Sequence, residues 1–307
     1  ALPQKDRWAY NTTMSEDLVI LFHPNLDSPS LVAGFGGWPN AGEVSSWVIS
    51  FLIESLGAAK FAEIKPEPFF DLIQQRPLVT IKEGTIKSVK FPCGAFYSVP
   101  PLGGHRNHVI LFLGQEPHLH WSRFSEAFFD LCAKVGVKEM ITVGGLYDNI
   151  PHTVDPTVSL ITNDLAVVDR FGGKRLRLAT YEGPMSIHTH LLVEAGKRGI
   201  PAMSLWGHVP YYIQSNNAKT CLSLLDRLRT FLQLELDLRE VQRASELLDQ
   251  EVERIVKDKP ELRQYIEALE REFLEEEGSP PSKRKSLKTL PQGGEKVIRI
   301  DPFLRKG

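Results

Sequence analysis

Four short apolar runs recur between Ser30 and Gly207: "SLVAGF", "HVILFLG", "MITVGG" and "AMSLWG". They are continuous rather than alternating, which is the pattern of strands covered on both faces. Amphipathic stretches separate them. One opens at Asn40 or Ala41 and stops near Gly57. A second, "RFSEAFFDLCAKVG", sets Phe124, Phe128, Leu131 and Val135 in one stripe, and a third is "MSIHTHLLVEAGKRG". Repeated strand–helix–strand units admit few architectures. They predict an α/β chain, a three-layer α/β/α sandwich around a mostly parallel, twisted sheet with right-handed crossovers. "VSLIT" and "RLATYEG" add strand segments, and "PLVTIKEGTIKSVKFP" reads as a hairpin turning at Glu83-Gly84.

After Asn216 the pattern becomes purely helical and more charged, with Cys221, Leu224, Leu225, Leu228 and Leu232 at helical spacing. The expected organisation is an N-terminal arm (1–16), an α/β/α domain (17–215), a helical extension (216–277) and a basic, flexible tail (278–307). A net charge of -2 over 307 residues gives no basic surface for nucleic acid. No apolar run reaches the roughly 18 residues of a membrane span. The start "ALPQKDRWAYNTT" does not read as a signal peptide, and Cys93, Cys132 and Cys221 show no metal spacing. The expectation is a cytoplasmic protein with reduced thiols, no metal and no cofactor.

The stretch "LVAGFGGWPNAGEV" has the outline of a phosphate-binding turn but fails its tests. No lysine lies between Gly34 and the helix, and Pro39 takes the third glycine position of a dinucleotide turn. The pairs His118/His120 and His188/His190 lack a third ligand and read as surface or loop histidines. No serine-hydrolase elbow is present. A broader constellation appears where strands end, in "GGWPNAG", "GQEPHLHW", "GGLYDNIPHT" and "GHVPYY". In a parallel sheet these loops share the carboxyl edge, where ligands bind in this architecture. The candidate cleft comprises Gly36, Trp38, Asn40, Glu116, Trp121, Asp148, His152, Glu182 and Trp206.

The ordered set "GFGGWPNAG", "RPLVTIKEG", "LGQEPHLHWSRF", "NIPHT", "YEGPMSI" and "SLWGHVPYY" resembles the proteasome assembly chaperone 2 family. The similarity is to its bacterial and archaeal branch, some members of which carry ATP-grasp or ligase labels. The resemblance implies a sandwich similar to purine nucleoside phosphorylases, and closed homo-oligomers. There are departures. Asn40 stands where bacterial members are acidic, Asn149 where they have Asp, and Val154 where Arg follows Pro-His-Thr. The end Arg305-Lys306-Gly307 lacks the hydrophobic–Tyr key of proteasome-docking members, so docking to the proteasome is not expected. The functional expectation is a protein-binding, assembly-chaperone-like scaffold that self-associates, a trimer being favoured, with an undefined client. The leucine-bearing extension needs a surface to cover, and a symmetry mate would supply part of it. The alternative is an enzyme or sensor using the strand-end cleft for a small molecule, in a nucleoside-phosphorylase-like or ligase-like manner.

Overall fold

A computed structural model describes residues 15–100, 108–170 and 177–277. The N-terminal arm up to residue 14 and the tail from 278, including the chain's end, lie outside the described residues. The strands are β1 (Leu18–Ile20), β2 (Ser30–Gly36), β3 (Ala59–Ile64), β4 (Leu78–Lys82), β5 (Thr85–Lys90), β6 (Gly94–Ser98), β7 (Val109–Gln115), β8 (Glu139–Asp148), β9 (Val158–Thr162), β10 (Arg177–Leu178) and β11 (Ala202–Pro210). The helices are α1 (Val44–Ser55), α2 (Trp121–Val135), α3 (Ala166–Arg170), α4 (Ile187–Lys197), α5 (Ala218–Leu232), α6 (Arg239–Lys257) and α7 (Pro260–Glu277).

Nine strands form one sheet in the order β1-β3-β6-β7-β2-β8-β11-β9-β10. The expected α/β/α sandwich is there, with the four central strands β7, β2, β8 and β11 mutually parallel. On one flank β6, β3 and β1 run antiparallel, and on the other β9 is antiparallel to β11. These flanks are not evident in the apolar runs, because "AKFAEI" and "GAFYS" are short and only partly apolar.

Side chains alternate along each strand, so one sheet carries two different cores. Val32, Ile141, Val143, Met203, Leu205 and Val209 meet α1 and α5 in an aliphatic cluster. Leu31, Phe35, Phe61, Phe96, Phe112 and Met140 meet α2 and α4 in an aromatic one. Two adjacent glycines of β8 serve one face each. A Cβ on Gly144 would press into the Trp206 indole at 2.8 Å, and one on Gly145 would meet the Ala41 carbonyl oxygen at 2.5 Å.

The extension folds back on its own chain. Leu248, Val252 and Val256 of α6 and Leu262, Ile266 and Leu269 of α7 close over Tyr212 and Ile213, which follow β11. Its apolar stripe is therefore covered without a symmetry mate, and that argument for self-association falls away. A different surface takes its place. The hairpin turns where expected, with Glu83 at φ 51° and Gly84 at φ 72°, both positive as a type I′ turn requires. Every residue of β4 and β5 is exposed, and the two strands form a sheet by themselves.

Candidate functional site at the carboxyl edge of the sheet

Strands β2, β7, β8 and β11 are neighbours and run the same way, so the loops that follow them share one edge. The candidate side chains from those loops do not converge on one depression. They separate into three groups.

The first group closes the starts of helices. Asn40 is turned into α1: its Oδ1 accepts from Ser46 N (3.0 Å) and its Nδ2 donates to Ser46 Oγ (2.9 Å). Gly42 N donates to the Tyr147 hydroxyl (3.3 Å). Glu116 holds the start of α4, accepting from Ile187 N (2.9 Å) on one oxygen and from Trp38 N (3.3 Å) on the other. Burial raises the Glu116 carboxyl above its usual range, and these two N–H donors only partly oppose the shift. Helix N-termini are ready anion sites, but here the chain's own Asn40 and Glu116 take those donors. Gly36 is buried at the end of β2, where a Cβ would overlap the Gln115 amide. The Trp38 ring remains exposed. Trp121 opens α2, with its indole N–H donating to Pro117 O (2.6 Å). Glu182 lies on the exposed segment before α4, and no described contact joins it to the others.

A second group fastens the extension. His152 is buried, its backbone N donates to the Tyr212 hydroxyl (2.6 Å), and that hydroxyl lies 2.7 Å from Nδ1. With the Tyr212 hydrogen directed to Nδ1, the proton sits on Nε2, which faces Glu253 Oε1 at 3.2 Å. Burial lowers the His152 pKa, against the pull of Glu253 and Asp249. Lys219 donates to the His152 carbonyl and pairs with Asp249 (2.9 Å). Tyr265 of α7 donates to Asn149 (3.2 Å). The "NIPHT" stretch is thus a clasp for α6 and α7. A cavity of about 10 Å³ beneath it, bordered by His152, His208, Lys219 and Asp249, has room for a single water.

A third group was not foreseen, apart from Asp148. At the end of β8, Asp148 Oδ2 lies 2.7 Å from His208 Nδ1, and His208 Nε2 lies 2.6 Å from Ser159 Oγ. Burial alone would push the Asp148 carboxyl up, but the hydrogen bond and charge of His208 outweigh it and hold it below the usual range. An ionised Asp148 places the imidazole proton on Nδ1 and leaves Nε2 to accept from the serine. Ser159 and His208 lie 49 residues apart with no local signature. His208 also sits in a Gly/Pro-containing stretch that reads as a loop, whereas β11 continues to Pro210 in register with β8 as far as Asp148.

Trp206 lies just beneath this group, buried on the same face and tilted over His188 with ring centroids 5.2 Å apart. His188 is not a surface histidine. It is wholly buried in the first turn of α4, while His118 and His120 are exposed. Among the described residues, neither the two His188 ring nitrogens nor Trp206 Nε1 finds a hydrogen-bond partner. Burial with no compensating bond depresses the His188 pKa to about 3. Among the described residues, no three His, Cys, Asp or Glu side chains are grouped to hold a metal ion.

The PAC2 family profile matches residues 34–256. The chain belongs to the PAC2 family. Solved structures agree. A PAC2 family protein from Streptomyces avermitilis is 28% identical with a TM-score of 0.70, covering 77% of this chain and 99% of its own. A proteasome-assembly chaperone homologue from Mycobacterium tuberculosis is 27% identical, with a TM-score of 0.70 and the same coverage, 77% and 99%. An archaeal proteasome activator from Pyrococcus furiosus shares the fold at 20% identity and a TM-score of 0.63, over 78% of this chain and 97% of its own. No curated protein sequence matches. No helix among the described residues is long and apolar enough to cross a membrane.

Proposed function

We infer that this PAC2 protein is an assembly-chaperone-like, protein-binding scaffold that works as a homo-oligomer, with three subunits the favoured number. Family membership supports the chaperone-like part. The observation that carries self-association is the β4–β5 hairpin. Val79 pairs with Val89 and Ile81 with Ile86 across the strands. These four β-branched side chains share one face, and they are 52%, 49%, 59% and 63% exposed, respectively. A two-stranded hairpin is marginal in water on its own, and an apolar face of this kind is stabilised by a covering surface.

A second copy of the chain suits that need. The hairpin also carries Lys82, Lys87 and Lys90, while the outer side of α7 carries Glu261, Glu267, Glu272 and Glu275 beside the exposed Leu274. A contact from the hairpin of one subunit to the acidic helix of the next is heterologous, the kind of contact from which a closed ring is built when the rotation between subunits closes. Light scattering coupled to size exclusion tests the reading at tens of micromolar. The full chain is expected to run as a closed oligomer. The double variant Ile81→Lys/Ile86→Lys is expected to run as a monomer with an unchanged circular dichroism spectrum and a lower melting temperature, because the stabilisation from the partner subunit is lost while both side chains already face solvent in the single chain. A full-length protein that runs as a monomer overturns the scaffold reading.

A further inference from the structure

The row Asp148–His208–Ser159 has an arrangement that strand knitting does not require. It crosses three adjacent strands, β8, β11 and β9, on the α4 side of the sheet, and its two links measure 2.7 and 2.6 Å. The carboxylate end is partly exposed, at 27%, and the imidazole and hydroxyl are buried. An anchored carboxylate, an imidazole bonded to it and a hydroxyl bonded to the imidazole are together what activates a serine.

We propose that Ser159 is a nucleophile, with His208 its general base and Asp148 the positioning residue, and that this relay hydrolyses small acyl esters. Two further observations point to a site. Trp206 is the direct cross-strand partner of Ser159, and its indole N–H is buried with no acceptor among the described residues, beside the equally unpartnered His188. Buried donors of this kind are costly when unpaired, so an oxygen-bearing guest is stabilised there. On the other side, Arg177 of β10 stands in register with Ser159, and its positive charge reaches as far as Asp148. Ser159 is wholly buried, and the segment 179–185 that follows β10 is mostly exposed, so a small substrate reaches the hydroxyl past that segment.

The chemistry balances with water as the only co-reactant. Ser159 Oγ forms a bond to the acyl carbon while its proton passes to His208 Nε2. The bond from that carbon to the leaving oxygen breaks, and the departing alkoxide takes the proton from Nε2. Water then attacks the acyl-serine and gives a proton to Nε2. The Oγ–acyl bond breaks, the acid is released and Ser159 recovers its proton.

The test is covalent labelling of the full chain with a fluorophosphonate, the modified residue being located by mass spectrometry and turnover followed with p-nitrophenyl acetate. The expected result is a single adduct on Ser159. Ser159→Ala should lose the adduct. Asp148→Asn, altered at the partly exposed end of the relay, should slow labelling at least 100-fold while circular dichroism shows an intact fold. Failure to label Ser159 in the folded wild-type chain overturns the proposal, as does an equal labelling rate in folded Asp148→Asn. Wild-type labelling decides the matter even if a variant does not fold.

Discussion

Strand β11 has two sides that do opposite things. Met203, Leu205 and Val209 face α5 and join a cluster built from Val, Leu and Ile. Ser204, Trp206 and His208 face the other way, and each brings a polar atom into the interior. Met203, Leu205 and Val209 bring no side-chain N or O to satisfy, so their burial converts directly into stability, about 25 cal/mol for each Å² removed from water. The polar side returns less, because each group must recover the water it gave up. A strand packed on one side by aliphatic side chains can keep unpaired rings and a serine relay on the other. The sharpest way to break this comparison is to remove one large side chain from each side. Leu224 of α5 is wholly buried, and Leu224→Ala should cost about 2–5 kcal/mol in urea unfolding. Trp206→Phe removes an unpartnered donor while keeping most of the ring, and should cost less than about 1.5 kcal/mol. If the two costs were equal, the division of labour would be wrong.

A smaller effect follows from His188. Its pKa lies at about 3 in the folded protein, against 6.5 for the ordinary side chain. The folded state therefore binds fewer protons than the unfolded one between those values. Stability is fully present above about pH 6.5 and falls as the pH drops, by about 1.4 kcal/mol per unit. His152 and His190 are shifted in the same direction and add to the slope. The difference between wild type and His188→Leu isolates the His188 share. The variant should be at least as stable as the wild type at pH 7.5, where the ring is neutral but unbonded, and its advantage should be larger at pH 5. Parallel loss of stability in both proteins would mean that His188 is solvated or bonded in solution.

Much of this was legible from residue patterns, and the rest was not for identifiable reasons. The central strands, the hairpin turn at Glu83-Gly84 and the stop at Gly57 follow from continuous apolar runs and from glycines that take positive φ. The antiparallel flank was hidden because β3 and β6 are short and mixed in character. The carboxyl edge could be anticipated from strand direction, but where its side chains point could not. Asn40 lies at the expected helix start, yet its amide reaches six residues on to Ser46. His152 looked like a cleft residue and instead clasps α6. The relay depends on β8 and β11 pairing three residues beyond the apolar run of each, and only the completed register reveals that. A Ser, a His and an Asp drawn from three strands leave no spacing to read.

The smallest expected effect tests whether the polar side is arranged for specificity rather than strength. Thr142 of β8 donates to Ser204 of β11 at 2.7 Å, and both side chains are fully buried. Removing one partner strands the other. Ser204→Ala alone should cost about 1–3 kcal/mol, because the Thr142 hydroxyl then has no acceptor in a place water does not reach. Removing both with Thr142→Val/Ser204→Ala replaces a satisfied pair by apolar groups of similar shape, and the net change should be within about 1 kcal/mol of zero. The single and double variants, unfolded in urea under one set of conditions, give the coupling energy directly. If the double variant were as unstable as the single one, hydrogen bonds on this side would be carrying stability in their own right, and the two sides of the sheet would differ in composition but not in role.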